Sequence, residues 1–169
     1  TIVVGKGEYQ IDGPYLKIPS AMNIVGDPGV PKSDLVVVGC IWFEEGIQGN
    51  CYLQHLTLRQ AKECGVYGCS SFTMEDVLVE QCGSYGVMAV CSGVVGRCTN
   101  VEVRQCGHNG VVASDGGSIT LIGAKTTVHH NCTKGGSTQY GLKVFGSPCS
   151  TIQLVSPLTK EEVSLDNGG

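Results

Sequence analysis

The chain carries an internal sequence repeat, and this repeat constrains the fold more than any other feature. Each copy reads apolar-x-apolar-x-Gln and ends on a small residue, and the copies span residues 56–61, 77–82 and 101–106. A Gly-Val pair follows every copy, with its glycine at Gly65, Gly86 and Gly110, spaced 21 and then 24 residues apart. A period of this length that varies by a few residues is typical of a solenoid whose turns absorb insertions at their corners.

Each repeat predicts three short strands. In the first strand, period-two alternation directs Leu58, Val79 and Val103 towards the interior. The second strand starts at the valine after the shared glycine, and the third covers residues 72–74, 94–96 and 119–122. Three parallel sheets wound about one axis form an all-β, right-handed parallel β-helix with three short strands per turn of about 21–25 residues. The right-handed form is favoured because left-handed hexapeptide helices hold a stricter spacing.

The corner after the first strand predicts two columns of stacked side chains. The amides of Gln60, Gln81 and Gln105 are aligned, and stacked amides can hydrogen-bond along the solenoid axis. The preceding position alternates in charge through Arg59, Glu80 and Arg104, so that neighbouring turns attract each other. The shared glycine that closes the corner is expected to supply either a positive φ or a close backbone approach.

Length and charge limit the function classes that need to be considered. The 169 residues are enough for one domain with a sizeable core. A net charge of −4 and a pI near 5.5 argue against nucleic acid, since a phosphate-binding surface needs a cationic stripe. No apolar run reaches the length of a membrane span. We expect a β-helix over residues 1–155 and a C-terminal cap with a loose tail over residues 156–169, in which Thr159 and Glu162 match a capping box.

The ten cysteines predict buried thiols and not a disulfide framework. Cys82 and Cys106 occupy a repeat position where the first copy has Ala61, which indicates a small buried slot, and Cys132 is expected to continue that series. A core of free thiols favours a reducing, intracellular compartment. The cysteines near corners are the candidates for oxidation or pairing: Cys64, Cys69, Cys91 and Cys98.

Several segments resemble a known superfamily. Residues 4–9 (Val-Gly-Lys-Gly-Glu-Tyr), 16–18 (Leu-Lys-Ile) and 24–27 (Ile-Val-Gly-Asp) resemble the entry turns of the right-handed β-helix, or pectin-lyase-like, superfamily. The Val-x-Val-x-Gln-Cys-Gly copies are similar to the β-helix repeats of F-box-only proteins, carbohydrate-binding proteins and sugar hydrolases. The resemblance covers most of residues 1–155 and implies the fold. It implies no single activity, because the superfamily includes lyases, hydrolases, epimerases, phage tailspikes and non-catalytic modules.

The catalytic motifs of that superfamily are not recognisable in this chain. The paired aspartates and Arg-x-Lys of polygalacturonase-like sites are missing, and the carboxylates are too scattered for the calcium site of a pectate lyase. His129 and His130 are adjacent on a strand and are expected to face opposite ways, so no metal site and no cofactor are predicted. No catalytic residue is assigned. For an enzyme, the outward polar groups available would be Asp76, Glu102, Arg104, His129 and Lys143.

Surface aromatic residues are the candidate binding residues. Tyr67 is at an outward position of its second strand, Tyr85 lies just before its shared glycine, and Trp42 precedes them along the chain. Aromatic side chains on a sheet face can stack on sugars or anchor a peptide. We therefore expect a non-catalytic β-solenoid module, for interaction or scaffolding, that binds a protein or polysaccharide partner.

Two other functions stay open at this point. One is a carbohydrate-active enzyme of the polysaccharide lyase, hydrolase or epimerase type, which rests on the superfamily resemblance alone. The other is a structural part of a viral or surface assembly, in which the solenoid supplies stiffness. The open ends of a solenoid carry unpaired strand edges, which also predicts end-to-end or lateral self-association.

Overall fold

The computed structural model describes residues 1–168 as a parallel β-solenoid of about five turns. About 49% of the residues are in strands and 4% in helix, which confirms the predicted all-β class. The strand pairs of these residues are parallel, as expected for a chain that coils in one direction.

Short strands separated by corners make up the turns. The strands are β1 (Ile2–Val4), β2 (Gly7–Ile18), β3 (Asn23–Gly26), β4 (Leu35–Phe43), β5 (Cys51–Arg59), β6 (Val66–Gly68), β7 (Phe72–Glu80), β8 (Val87–Ala89), β9 (Val95–Thr99), β10 (Glu102–Arg104), β11 (Val111–Ser114), β12 (Ser118–Ile122), β13 (Thr127–His129), β14 (Leu142–Phe145), β15 (Thr151–Leu154) and β16 (Ser164–Leu165). A 3-10 helix covers Lys32–Asp34, and helix α1 covers Lys160–Val163.

The strands form three faces, named here by the order in which a repeat visits them. The first face contains β10, β13, β16, the N-terminal parts of β2 and β4, and the C-terminal parts of β5 and β7. The second contains β6, β8, β11, β14 and the C-terminal parts of β2 and β4. The third contains β3, β9, β12, β15 and the N-terminal parts of β5 and β7, with β1 paired to β3. Strands β5 and β7 belong to two faces because they bend at His55 and Asp76, where φ is 51° in both.

The interior of the solenoid is a column of stacked aliphatic residues. Leu58, Val79, Val103 and Val128 pair in register along the first face, and each is fully buried. Their outward neighbours alternate with them, which confirms the register expected from the repeat. In-register stacking at about 4.8 Å lets each aliphatic side chain pack directly on its equivalent in the next turn.

The corner after the first face takes a left-handed backbone at a repeated position. Gln60, Gln81 and Gln105 have φ of 54°, 56° and 57°, and His130 and Asp166 continue the series in the next two turns. The amide Nε2 of Gln81 donates to Oε1 of Gln105 at 3.4 Å, so the expected ladder forms between these two turns. The glutamine, and not the shared glycine, has the positive φ at this corner. The shared glycines are needed because atoms of the neighbouring turn lie too close to leave room for a Cβ.

The predicted charge column is formed in part. The guanidinium of Arg104 binds the Glu80 carboxylate at 2.8 Å, as the alternation predicted. Arg59 instead binds Glu8 at 2.6 Å, because β2 brings that carboxylate next to it.

The C-terminal end of the solenoid differs from the expectation in two respects. By strand register, Asn131 and not Cys132 occupies the position that Cys82 and Cys106 have in their own turns. The Asn131 amide hydrogen-bonds to the backbone of the turn before it: its Nδ2 donates to Val103 O at 3.1 Å, and its Oδ1 accepts from Cys106 N at 3.0 Å. Asn167 repeats this role one turn later by donating to Val128 O at 2.9 Å.

The predicted capping box is present, and parallel pairing continues beyond residue 155. The capping box of Thr159 and Glu162 starts α1 as predicted. Strand β16 pairs with β13 beyond the boundary expected at residue 155, and Gly169 of the expected loose tail lies outside the described residues.

No disulfide joins the ten cysteines, all of which lie within residues 1–168. Cys82 and Cys106 are buried in their predicted slot, where the neighbouring Cys106 thiol and burial raise the pKa of Cys82. Cys64 and Cys98 are also buried, and burial raises the pKa of each to about 12, which argues against the oxidation or pairing expected of these two. Cys69 and Cys91 are partly exposed.

Candidate functional site

The outer surface of the second face carries a column of large side chains. Lys17 of β2 pairs with Trp42 of β4, Trp42 with Tyr67 of β6, and Tyr67 with Met88 of β8. Each of these residues stands between two inward neighbours, as alternation requires. Parallel in-register pairing therefore brings residues that are far apart in the sequence into contact on one surface.

Four aromatic rings from four successive turns surround a groove on this surface. The groove has a volume of about 380 Å3 and is lined by Tyr15, Trp42, Glu63, Cys64, Tyr67, Tyr85 and Met88; we call this set the aromatic groove. All three predicted binding residues, Trp42, Tyr67 and Tyr85, lie in it. Tyr15, Glu63 and Met88 were not identified from the sequence.

Three of the four rings of the aromatic groove, those of Tyr15, Trp42 and Tyr67, stand nearly at right angles to their neighbours. The centroids of Tyr15 and Trp42 are 5.3 Å apart with an interplanar angle of 76°. Those of Trp42 and Tyr67 are 5.8 Å apart at 86°. Edge-to-face contacts of this kind are favourable because the positive edge of one ring meets the negative face of the next. These three rings therefore support one another, while the ring of Tyr85 packs against His108 at a centroid distance of 5.9 Å.

The charged groups near the aromatic groove are a lysine outside it and a glutamate within it. The ammonium of Lys17 lies 4.9 Å from the centroid of the Trp42 ring, a cation–π contact, and Lys17 does not line the groove. Glu63 does line it, and forms no ion pair with any residue of the described chain. Burial raises the pKa of Tyr15, and the Glu63 carboxylate raises it further.

Three of the five conditional catalytic residues come together elsewhere, on the outer surface of the first face. Arg104 binds Glu102 at 3.0 Å as well as Glu80 at 2.8 Å, and Nε2 of His129 lies 3.1 Å from the Glu102 carboxylate. Each charged group of this cluster is therefore already engaged by another. Such mutual satisfaction is typical of an ion-pair network that stabilises a sheet surface.

The histidine pair departs from the geometry expected of a regular strand. His130 is left-handed, with a φ of 53°, so its ring turns back and its Nδ1 lies 2.7 Å from Nδ1 of His129. The expectation that the two rings face opposite ways is therefore wrong. Across residues 1–168, however, no three His, Cys, Asp or Glu side chains converge as a metal site requires.

The other two conditional catalytic residues are isolated from that cluster. Lys143 lies on β14 at the C-terminal end, where its ammonium is 5.8 Å from the ring centroids of both Tyr140 and Phe145. Asp76 lies in the bend of β7, where it accepts from Lys32 Nζ at 2.6 Å and contacts His55 Nδ1 at 2.7 Å. The five residues thus occupy three separate places and do not converge on one substrate position.

The Asp76 contacts predict a pH-dependent stability. The hydrogen bond to Asp76, followed by the one to Val30 O, raises the pKa of His55 above its ordinary value of 6.5. Partial burial alone would raise the pKa of Asp76, but the hydrogen bonds from Lys32 and His55 outweigh it, so this pKa lies below its ordinary 3.8. The interactions that raise the pKa of His55 stabilise the fold fully below pH 6.5, and this contribution is lost as the pH rises through the pKa of His55 in the folded protein. The interactions that lower the pKa of Asp76 stabilise the fold above pH 3.8, and this contribution is lost as the pH falls through the pKa of Asp76 in the folded protein.

We therefore expect the free energy of unfolding to decrease by about 1 kcal/mol or less between pH 5.5 and pH 8, because the groups are partly exposed. The measurement is urea unfolding at both pH values for the wild type and for Asp76→Asn, since asparagine tolerates the left-handed backbone at this position. The decrease should become smaller in the variant. An equal decrease in both proteins would contradict the assignment to His55 and Asp76.

Comparison of the chain with protein-family models, with curated proteins and with solved structures found no match. Within the described residues, no helix has the length and apolar character needed to cross a lipid bilayer.

Proposed function

We propose that this chain is a non-catalytic β-solenoid interaction module that binds a protein or glycan partner through the aromatic groove. The observation that supports the proposal most is the convergence of Tyr15, Trp42, Tyr67 and Tyr85 on one groove. Large aromatic side chains contribute much of the binding energy at recognition surfaces, and they dominate binding sites for extended ligands. The relationship to the pectin-lyase-like superfamily, implied by the repeats, belongs to the same proposal.

The arrangement of the acidic residues favours binding over catalysis. A glycoside hydrolase of the common type needs two carboxyl groups on either side of one bond, one of them able to give up a proton. Here Glu80 and Glu102 share the guanidinium of Arg104, and Asp76 is held by Lys32 and His55. None of these groups lines the aromatic groove.

The test is a ligand screen read by thermal shift and by the fluorescence of Trp42, the single tryptophan of the chain. The panel contains neutral polysaccharides, polyuronates with and without calcium, and peptides. For a ligand that binds, Tyr67→Ala should lower the affinity by about tenfold, since an aromatic contact contributes about 1 kcal/mol or more.

The matched control is Tyr140→Ala, which removes an exposed tyrosine at the C-terminal end, away from the aromatic groove. It should leave the affinity unchanged. A ligand that binds Tyr67→Ala as tightly as the wild type would contradict the groove as the site. Cleavage of a bound polysaccharide would contradict the non-catalytic assignment and support the enzyme instead.

A further inference from the structure

The shape of the aromatic groove narrows the class of ligand. A sugar ring stacks on one broad exposed ring face, whereas the rings of Tyr15, Trp42 and Tyr67 meet at 76° and 86° beside the groove that they line. In an edge-to-face contact each pair of rings meets edge against face, so these rings do not form one broad flat platform. The volume of about 380 Å3 is at the lower end of the roughly 300–1,000 Å3 found for ligand sites, which favours a compact group.

The charge of the aromatic groove favours a cationic group. Glu63 is the one charged side chain among the lining residues, all of which lie within residues 1–168, and it has no cationic partner there. Trp42 already holds the ammonium of Lys17 over its ring from outside the groove. An aromatic enclosure with an unpaired carboxylate is complementary to a positive charge that carries its own apolar surface.

Methylation makes an ammonium group better suited to the lining of the aromatic groove. An unmodified ammonium is strongly hydrated and would need several acceptors in exchange for its water. The lining supplies aromatic rings, the Met88 side chain and the Cys64 thiol, with Glu63 as the charged acceptor. An ammonium wrapped in methyl groups loses less hydration on entering such a site and makes favourable contact with ring faces.

We propose that the aromatic groove is an aromatic cage for a methylated ammonium group, presented as a methylated lysine side chain by a partner protein. This inference rests on the proposed binding function and specifies its ligand. A choline headgroup of a lipid surface shares the chemistry, but the exposed large apolar residues that could enter a bilayer do not line the groove; they include Ile2 and Val3 at one end and Val144 and Phe145 at the other. A protein side chain fits the position of the groove on the flank of the solenoid.

The test is a titration of the whole chain with three short glycine-flanked peptides, followed by Trp42 fluorescence. They carry trimethyllysine, unmodified lysine, and the neutral tert-butyl isostere of trimethyllysine. We expect a saturable fluorescence change with the trimethyllysine peptide. The affinity should be about tenfold lower for the tert-butyl peptide, which has no charge to interact with the rings, and for the lysine peptide, whose ammonium gives up more hydration.

Two variants separate charge from shape. Glu63→Gln keeps the size of the side chain and should lower the affinity for the trimethyllysine peptide about fivefold, with no effect on the affinity for the tert-butyl peptide. Tyr67→Ala should lower the affinity for both peptides, and Tyr140→Ala should leave both affinities unchanged. Equal binding of the trimethyllysine and tert-butyl peptides, or no binding of the trimethyllysine peptide, would overturn the cage.

The remaining outcomes distinguish this inference from the function on which it rests. A neutral oligosaccharide whose binding is lost in Tyr67→Ala and retained in Glu63→Gln would overturn the cage while supporting the aromatic groove as a binding site. Binding to phosphatidylcholine vesicles without binding to the trimethyllysine peptide would contradict the proposal that a partner protein presents the methylated ammonium. A ligand that is unaffected by Tyr67→Ala would overturn both the cage and the proposed function.

Discussion

Replacing Val79 with aspartate is expected to abolish folding of the chain. Val79 lies in the central turn, is fully buried, and pairs in register with Leu58 on one side and Val103 on the other. A carboxylate at this position would have no partner in a column of aliphatic side chains. An uncompensated buried charge costs on the order of 5 kcal/mol, which is comparable with the whole stability of many domains.

The measurement for Val79→Asp is far-UV circular dichroism and gel filtration at neutral pH, with urea unfolding of any soluble fraction. The matched control is Val95→Asp, the same substitution on the exposed side of β9, which should keep the fold at a cost of about 1 kcal/mol. A cooperatively folded Val79→Asp protein would show that the inward column has been assigned to the wrong residues.

Replacing Gly86 with alanine is expected to destabilise the solenoid by about 3 kcal/mol, because the added methyl group overpacks a close contact. A Cβ at this position would lie 2.2 Å from a methyl carbon of Val103 and 2.7 Å from the carbonyl oxygen of Gly110. Valine is stiff at χ1 and the carbonyl belongs to the backbone, so neither neighbour can move away easily. The shared glycines Gly65 and Gly110 face the same kinds of atoms in their own turns.

Urea unfolding of Gly86→Ala and of Gly5→Ala measures this effect. Gly5 is the control because a Cβ there would meet only the hydroxyl of Tyr9, at 3.8 Å, which is an ordinary van der Waals distance. We expect Gly5→Ala to change the free energy of unfolding by no more than about 0.5 kcal/mol. Similar effects of the two substitutions would mean that the turns do not approach each other closely at the shared glycines.

The candidate site was only partly predictable from sequence. Trp42, Tyr67 and Tyr85 could be named because aromatic side chains at outward or corner positions stand out against an aliphatic repeat. Tyr15 could not be placed with them, because β2 shifts its register between Gln10 and Tyr15 and the first turns lack the Gln-Cys-Gly marker. Glu63 lies in a corner, where alternation says nothing about direction.

Errors in the sequence interpretation arose where the backbone leaves the regular strand. His129 and His130 were expected to diverge, but the left-handed backbone of His130 turns its ring towards His129. The position expected for Cys132 belongs to Asn131, one residue earlier, so a one-residue shift changed which side chain enters the buried slot. Positive φ values at corners cannot be read from residue type when glutamine, histidine and aspartate all adopt them.

The sequence by itself determined the parallel solenoid, the inward column and the repeated corner. These features depend on period-two alternation and on a spacing that recurs along the chain, and both are local properties that a sequence displays directly. Only the tertiary structure decided which outward residues meet. It separated Asp76 and Lys143 from Glu102, Arg104 and His129, and it joined Tyr15 and Glu63 to Trp42. The reason is physical: contacts between turns depend on strand register and on the corner backbone, and a shift of one residue reverses the side on which a side chain lies.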